Sequence, residues 1–140
     1  FSRWRDMDVT RWRADTTLDS YGSFFYIKDL DRDTVWSATY QPTRRPASLY
    51  QARLSPGRAE FERRDFGIGV TTEIGVSPED AVEIRHLTLA NYSNRRRRVE
   101  LTSYIELALA PIPAGEYVIE ITAAGESGEA KALVAFRVIG

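Results

Sequence analysis

Apolar and polar residues alternate along most of the chain, and this period of two predicts β-strands rather than helices. The clearest case is residues 68–76, where apolar side chains and one threonine share a single face. The opposite face carries Gly69 and Gly75, which leave room for the close approach of a backbone or a ligand. No stretch shows a convincing helical period or an internal repeat.

Turn signals divide the chain into hairpins. An aspartate-rich turn covers 29–34, Ser55-Pro56-Gly57 forms a second, and residues 77–80 form a third. The predicted strands cover residues 21–28, 35–40, 48–54, 59–65, 68–76, 82–89 and 99–109, with a terminal pair at 117–123 and 131–139.

One predicted strand changes phase part-way. Val82 and Ile84 share a face, whereas Leu87 and Leu89 lie in the opposite phase. The change falls at residues 85–86 and predicts either a β-bulge or a strand that is buried on both faces.

Antiparallel hairpins without helices predict an all-β protein, an antiparallel two-sheet sandwich that ends in a C-terminal hairpin. Pro111-Ile112-Pro113 marks a boundary. We therefore expect residues 1–111 to form the sandwich portion and residues 112–140 to form the C-terminal β-hairpin. That hairpin could pair with an open sheet edge.

Composition excludes several classes of function. The chain has 140 residues, a net charge of −1 and no cysteine, so it has no disulfide framework and no thiolate chemistry. This charge gives no general attraction to nucleic acid, and no apolar run approaches the roughly 20 residues of a membrane helix. We expect no nucleic-acid partner and no membrane insertion. The chain begins at Phe1 with a motif under way, so we expect an excerpt from a longer protein.

The opening residues 3–15 hold two of the three tryptophans, Trp4 and Trp12, each flanked by arginines. As one extended strand, both indoles would share a face with carboxylates and a hydroxyl. This is typical of a sugar-contacting surface and also of a buried strand, and the buried strand is favoured because aromatic residues dominate cores. The candidate carbohydrate-binding residues are Trp4, Arg11, Trp12, Arg13 and Asp15.

Other candidate sites give weaker signals. His86 is the only histidine, so a His/Cys zinc site is excluded and a structural or surface role is favoured. Asp29, Asp31 and Asp33 lack the remaining EF-hand pattern, so a solvated turn is favoured over calcium binding. The arginine run 95–98 suits phosphate, but a solvated turn is again favoured. We expect no catalytic residue, metal or cofactor.

Several longer words together resemble one known family, over roughly residues 1–111. They are SRWRDM at 2–7, VTRWRAD at 9–15, GSFFYIKD at 22–29, VWSATYQPT at 35–43, ERRD at 62–65, EIR at 83–85, LTLANYS at 87–93 and LTSY at 101–104. They resemble the N-terminal β-sandwich of the phosphorylase-like module of bacterial cyclic β-1,2-glucan synthases. This module belongs to glycoside hydrolase family 94, formerly glycosyltransferase family 36, with cellobiose and chitobiose phosphorylases.

The resemblance implies a supersandwich-like fold that precedes an (α/α)6 barrel carrying the catalytic acid. The sandwich would support that barrel, help subunits pair and border the entrance to a glucan site. It also implies the cytoplasmic face of a bacterial inner membrane, if the parent is a cyclic glucan synthase. The given residues include no such barrel, and the family's sandwich is longer than this stretch, so we expect that the sheets are incomplete.

Three functions stay open at this point. The first is a non-catalytic sandwich portion of a glycosyltransferase or phosphorylase-like enzyme, with no activity expected from this chain alone. The second is a stand-alone carbohydrate-binding module for a β-glucan or oligosaccharide. The third is a structural or assembly domain without a ligand, which includes a homodimer.

Overall fold

The computed structural model describes residues 1–14, 17, 20–80, 82–108, 115–125 and 128–138. The chain divides into two compact units, Phe1–Leu107 and Ala108–Gly140. The strands are β1 Arg3–Trp4, β2 Met7–Asp8, β3 Ser23–Asp29, β4 Thr34–Ser37, β5 Leu49–Ser55, β6 Arg58–Asp65, β7 Ile68–Val76, β8 Glu83–Asn91, β9 Val99–Ile105, β10 Gly115–Gly125 and β11 Gly128–Val138.

The first unit contains two larger antiparallel sheets, which confirms the predicted all-β sandwich. One sheet has three strands in the order β4-β3-β9, and the other has four in the order β5-β6-β7-β8. The predicted hairpins are present, since β3 pairs with β4, and β5, β6 and β7 pair in succession. Among the described residues, no helix is long and apolar enough to cross a membrane.

The core lies between these two sheets. Ile27 on β3 and its cross-strand partner Trp36 on β4 are fully buried, and they cluster with Ile68 and Val70 on β7. Burial of one such aliphatic side chain contributes about 1.5–3 kcal/mol. The alternation along 68–76 therefore directs the predicted face inward, although Val76 at its end is 56% exposed.

Strand β8 contains no bulge, and that prediction is wrong. Its register against β7 is continuous from the pair Val76 and Glu83 to the pair Ile68 and Asn91. Burial on both faces is also wrong, because Ile84 is 63% exposed. The residue that faces inward at this point is Arg85. Its guanidinium donates hydrogen bonds to the Ser23 carbonyl and the Glu83 carboxylate.

The space beside Gly69 is filled by the side chain of the residue that follows β8. A Cβ at Gly69 would overlap the ring of Tyr92. The guanidinium of Arg64 lies 3.8 Å from the centroid of that ring. Gly75 has no atom within 4 Å of where a Cβ would stand, so only Gly69 is needed for close packing.

A buried ion pair fixes the loop that follows β4. The guanidinium of Arg63 is fully buried and donates to Asp65 at 2.6 Å. It also donates to the carbonyl of Thr39 at 3.0 Å and to that of Arg45 at 2.8 Å. One side chain of β6 therefore holds both ends of the loop 39–45.

The second unit contains the C-terminal hairpin that the sequence predicts. β10 and β11 pair without interruption from Gly115 with Val138 to Gly125 with Gly128. The strands are longer than predicted at their inner ends. The exact division at residues 111 and 112 stays a prediction.

Candidate functional site

The opening segment does not form the single extended strand on which its shared tryptophan face was based. Strands β1 and β2 are two residues each and pair as a tight hairpin, with Arg3 opposite Asp8. Arg5 in the turn between them has a positive φ of 53°. The chain reverses between Trp4 and Trp12, so alternation cannot carry both indoles along one strand face.

Backbone contacts attach this segment to the sheet. The amides of Val9 and Thr10 donate to the carbonyl of Ser2, and the buried Thr10 hydroxyl accepts from the Ser2 amide at 2.8 Å. Thr10 forms an isolated bridge with Leu107 just beyond β9. These contacts fix the backbone at Thr10, from which the exposed residues 11–13 continue.

Two of the candidate arginines lie at one tyrosine. The guanidinium of Arg11 lies 4.3 Å from the centroid of the Tyr21 ring, and that of Arg13 lies 5.9 Å from it. Such cation–π contacts contribute about 0.5–1 kcal/mol at exposed sites. Arg11 is also 3.9 Å from the Glu106 carboxylate. Tyr21 was not among the predicted site residues, because its aromatic run was assigned to a strand.

Trp12 is exposed rather than buried. Its side chain retains 47% of its accessibility and meets Phe1 at 5.6 Å between ring centroids, with the rings tilted by 50°. This contradicts the favoured burial for Trp12 and leaves indole surface exposed next to Phe1, whose ring centroid lies 5.6 Å from the Arg3 guanidinium. Flat apolar surface with nearby hydrogen-bond donors can contact the C–H face and the hydroxyls of a sugar.

The five predicted site residues are only partly described. The structure places Arg11, Trp12 and Arg13 on this exposed segment. The side chain of Trp4 and the whole of Asp15 lie outside the described residues. We call the surface formed by Phe1, Arg11, Trp12, Arg13 and Tyr21 the N-terminal surface.

The aspartate-rich turn and the arginine run bind one another. Arg97 is nearly buried and forms an ion pair with the fully buried Asp29, while Arg98 pairs with Asp31 at 3.0 Å. Arg97 also donates to the carbonyl of Phe66 at 2.8 Å. The expectation of a solvated turn is therefore wrong for Arg97 and Asp29.

These contacts also show that two carboxylates of the aspartate-rich turn, which were weighed as calcium ligands, pair with arginines instead. The Arg98 hydrogen bonds and the charges of Arg98 and Arg97 hold the pKa of Asp31 below its ordinary range. In the ranges that the structure describes, no group of three or more His, Asp or Glu side chains is placed to hold a metal ion.

His86 lies on the outer face of the four-stranded sheet. Its Nδ1 is 3.0 Å from the Glu73 carboxylate, and its side chain is 67% exposed. The hydrogen bond with His86 and the charge of Arg58 hold the pKa of Glu73 below its ordinary range. The surface role favoured for His86 agrees with this position.

A lowered pKa does not suit a carboxyl group to act as a general acid. A carboxyl group that donates a proton at neutral pH needs a raised pKa, whereas the pKa values of Asp31, Glu73 and Glu83 are all lowered. For Glu83, burial opposes this shift, but the hydrogen bond from Ser2 and the charge of Arg85 outweigh it.

Two depressions of the described surface are small. One of about 200 Å³ lies between the sheets beside Ile68, Val99 and Leu101, and one of about 250 Å³ lies beside Glu73, Ile84 and His86. Sites for small molecules usually enclose about 300–1,000 Å³. These two depressions therefore suit contact along a surface better than enclosure of a substrate.

Comparison with protein families matches residues 1–123 to the supersandwich domain of glycosyl hydrolase 94. The chain belongs to this family. The matched residues include the N-terminal surface, both larger sheets and the first part of the C-terminal hairpin. The match extends past residue 111, the approximate limit of the resemblance in the sequence.

Curated relatives of this glycosyl hydrolase 94 domain act in carbohydrate chemistry. The chain is 34% identical over 110 residues, 79% of its length, to the cyclic β-(1,2)-glucan synthase NdvB of Rhizobium meliloti (strain 1021). It is 31% identical over 86 residues, 61% of its length, to the solabiose phosphorylase of Paenibacillus borealis. It is 26% identical over 106 residues, 74% of its length, to the N,N'-diacetylchitobiose phosphorylase of Vibrio proteolyticus.

All three relatives are far longer than this domain. The matched region spans 4% of the glucan synthase, 11% of the solabiose phosphorylase and 13% of the diacetylchitobiose phosphorylase. The comparisons therefore show the domain, and the activity of a whole protein is a separate question.

Proposed function

We propose that this supersandwich domain is a non-catalytic part of a carbohydrate-active protein, where it supports or borders a site for a glucan or oligosaccharide. The observation that carries the proposal is the family match over residues 1–123, combined with two buried carboxylates that form ion pairs with arginines. The buried carboxylates Asp29 and Asp65 both accept from guanidinium groups.

Glycoside chemistry would need a different arrangement. An acid with a raised pKa must face a second carboxylate or a phosphate across a cleft. Here the lowered pKa values, the paired carboxylates and the small depressions all favour a supporting domain. Glucans enter the proposal through the names of the relatives.

An assay for phosphorolysis tests the proposal. The full chain is incubated with β-1,2-glucan and inorganic phosphate, and glucose 1-phosphate is measured. We expect no release above a protein-free blank. Release that depends on the chain and on phosphate would overturn the non-catalytic role.

Sugar contact through the N-terminal surface is a second candidate function, favoured by the exposure of Trp12. Tryptophan fluorescence is followed during titration with β-1,2-gluco-oligosaccharides. We expect a saturable change that weakens in Arg11→Ala and Arg13→Ala and persists in Arg96→Ala, an exposed arginine elsewhere. No change at millimolar sugar, or equal responses in all variants, would contradict it.

A further inference from the structure

A second exposed aromatic pair lies away from the tryptophans, where the loop after β4 meets β5. Tyr40 and Tyr50 are 47% and 40% exposed, and their ring centroids are 6.5 Å apart with an angle of 57° between the rings. The amide of Tyr40 donates to the Tyr50 hydroxyl at 3.3 Å. The two rings therefore form one shallow, angled apolar surface.

The loop that carries Tyr40 is ordered by its own hydroxyl groups. The Ser37 hydroxyl donates to the carbonyl of Thr39 at 2.7 Å and lies 2.8 Å from the hydroxyl of Thr43. The Thr39 hydroxyl in turn donates to the carbonyl of Gln41 at 2.8 Å. These short-range bonds fix the backbone on both sides of Tyr40.

The buried guanidinium of Arg63 adds a long-range attachment. It bonds the carbonyls of Thr39 and Arg45, on either side of the exposed part of the loop, and is itself neutralised by Asp65. The loop is therefore ordered before a ligand binds, so that binding does not have to reduce its conformational entropy. Such preorganisation raises affinity.

Two polar side chains follow Tyr40 in the same loop. The Arg44 amide donates to the Tyr40 carbonyl at 2.8 Å, which closes a backbone turn over residues 40–44. The Arg44 Nε donates to the Gln41 side-chain oxygen at 3.3 Å. The side-chain NH₂ group of Gln41 and the two terminal NH₂ groups of Arg44 have no hydrogen-bond partner among the residues that the structure describes.

The ring faces also remain accessible. Elsewhere an arginine lies over an exposed ring, as Arg64 does over Tyr92. In the described part of the chain, no such guanidinium covers Tyr40 or Tyr50. Aromatic faces beside unused amide and guanidinium donors suit a ligand that has C–H faces and hydroxyl groups.

We propose that Tyr40, Tyr50, Gln41 and Arg44 form a second contact surface for a neutral gluco-oligosaccharide. The choice of sugar rests on the proposed glucan context of the domain. Two rings and two polar side chains form a patch far smaller than the roughly 1,000 Å² needed by a stable protein interface. A short saccharide matches this size better.

The test is a titration of the full, ¹⁵N-labelled chain with β-1,2-gluco-oligosaccharides, followed by NMR. We expect shifts at the backbone amides of Tyr40, Gln41 and Arg44. Tyr40→Ala should raise Kd about tenfold, as truncation of a central aromatic contact does. Tyr40→Phe should stay within about twofold, and Tyr104→Ala is the matched control because this exposed tyrosine lies on the other sheet.

Thermal unfolding of each variant checks that the fold is retained. Shifts confined to the N-terminal surface, no shifts, or equal Kd values for Tyr40→Ala and Tyr104→Ala would overturn the proposal. None of these results would require catalysis by the chain. Conversely, release of glucose 1-phosphate would overturn the supporting role and leave the tyrosine contact to be decided by the titration.

Discussion

Arg97 and Asp29 lie together inside the sandwich, although they are 68 positions apart in the sequence. Asp29 ends β3 and is fully buried, and Arg97 precedes β9 with its side chain only 3% exposed. Because β3 and β9 are neighbours in the three-stranded sheet, this pair joins the start of β9 to the end of β3. Its ions are withdrawn from water, so each depends on the other.

The first prediction concerns this pair. Arg97→Ala removes the buried cation from Asp29 and leaves this carboxylate with only the longer contact to the half-exposed Arg32, at 3.6 Å. It should lower the free energy of unfolding by about 3 kcal/mol. Arg96→Ala, at an exposed position in the same run, should change it by no more than about 0.5 kcal/mol. Urea denaturation of the two variants measures the difference. Similar losses in both would show that the Arg97 pair does not stabilise the sandwich.

A second prediction concerns Arg63, which holds the loop after β4. Arg63→Ala should cost about 3–5 kcal/mol, because Asp65 is left buried and two carbonyls lose their donor. Arg53→Ala is the control, since its ion pair with Glu60 is exposed and such pairs contribute about 1 kcal/mol or less. Chemical denaturation compares them. A cost for Arg63→Ala no larger than that for Arg53→Ala would contradict the structure.

The two glycines of β7 should differ sharply. Gly69→Ala forces the exposed Tyr92 ring to move away from Arg64 and should cost about 0.5–1 kcal/mol, the size of an exposed cation–π contact. Gly75→Ala meets open space and should be neutral or slightly stabilising. Thermal unfolding of both variants measures this. Equal effects would mean that the ring of Tyr92 does not occupy the space over Gly69.

A fourth prediction concerns pH and Glu73, which faces Arg58 and Glu60 on β6 and His86 on β8. Its folded pKa lies below the unfolded value of about 4.3, so its contribution is present above that value and lost as the pH falls through the folded pKa. Glu73→Gln should therefore lower Tm at pH 7, and the difference from the parent chain should shrink below about pH 4.

The matched control for this titration is Glu79→Gln, because Glu79 lies exposed in the turn after β7. Its Tm should follow that of the parent chain from pH 7 to pH 3. A Tm difference for Glu73→Gln that grows on acidification would contradict the assigned pKa direction.

Local chemistry explains what the sequence predicted well. Ser55-Pro56-Gly57 and the aspartate-rich turn are short-range signals, and between such turns alternation assigns the strands and the buried Ile68 and Val70. The approximate fold therefore followed from neighbouring residues alone. The family resemblance added the glycosyl hydrolase 94 assignment, which the match over residues 1–123 confirms.

Long-range and unusual turns explain what was missed. The reversal at Arg5 and Asp6 has no glycine, proline or asparagine to mark it, so the opening stretch was taken as one strand. The predicted change of phase assumed that the apolar Ile84 faces the core. Ile84 faces solvent instead, and alternation alone does not show which face of a strand is exposed. The contact of Arg97 with Asp29 joins distant segments, and no local pattern reveals such a partner.

The central claim is that this domain supports glucan chemistry without performing it, and one assay tests it most directly. A preparation with cooperative thermal unfolding is incubated with β-1,2-glucan and phosphate, and glucose 1-phosphate is measured over time. The account predicts no release above the protein-free blank. Phosphate-dependent release that increases with the amount of chain would contradict it.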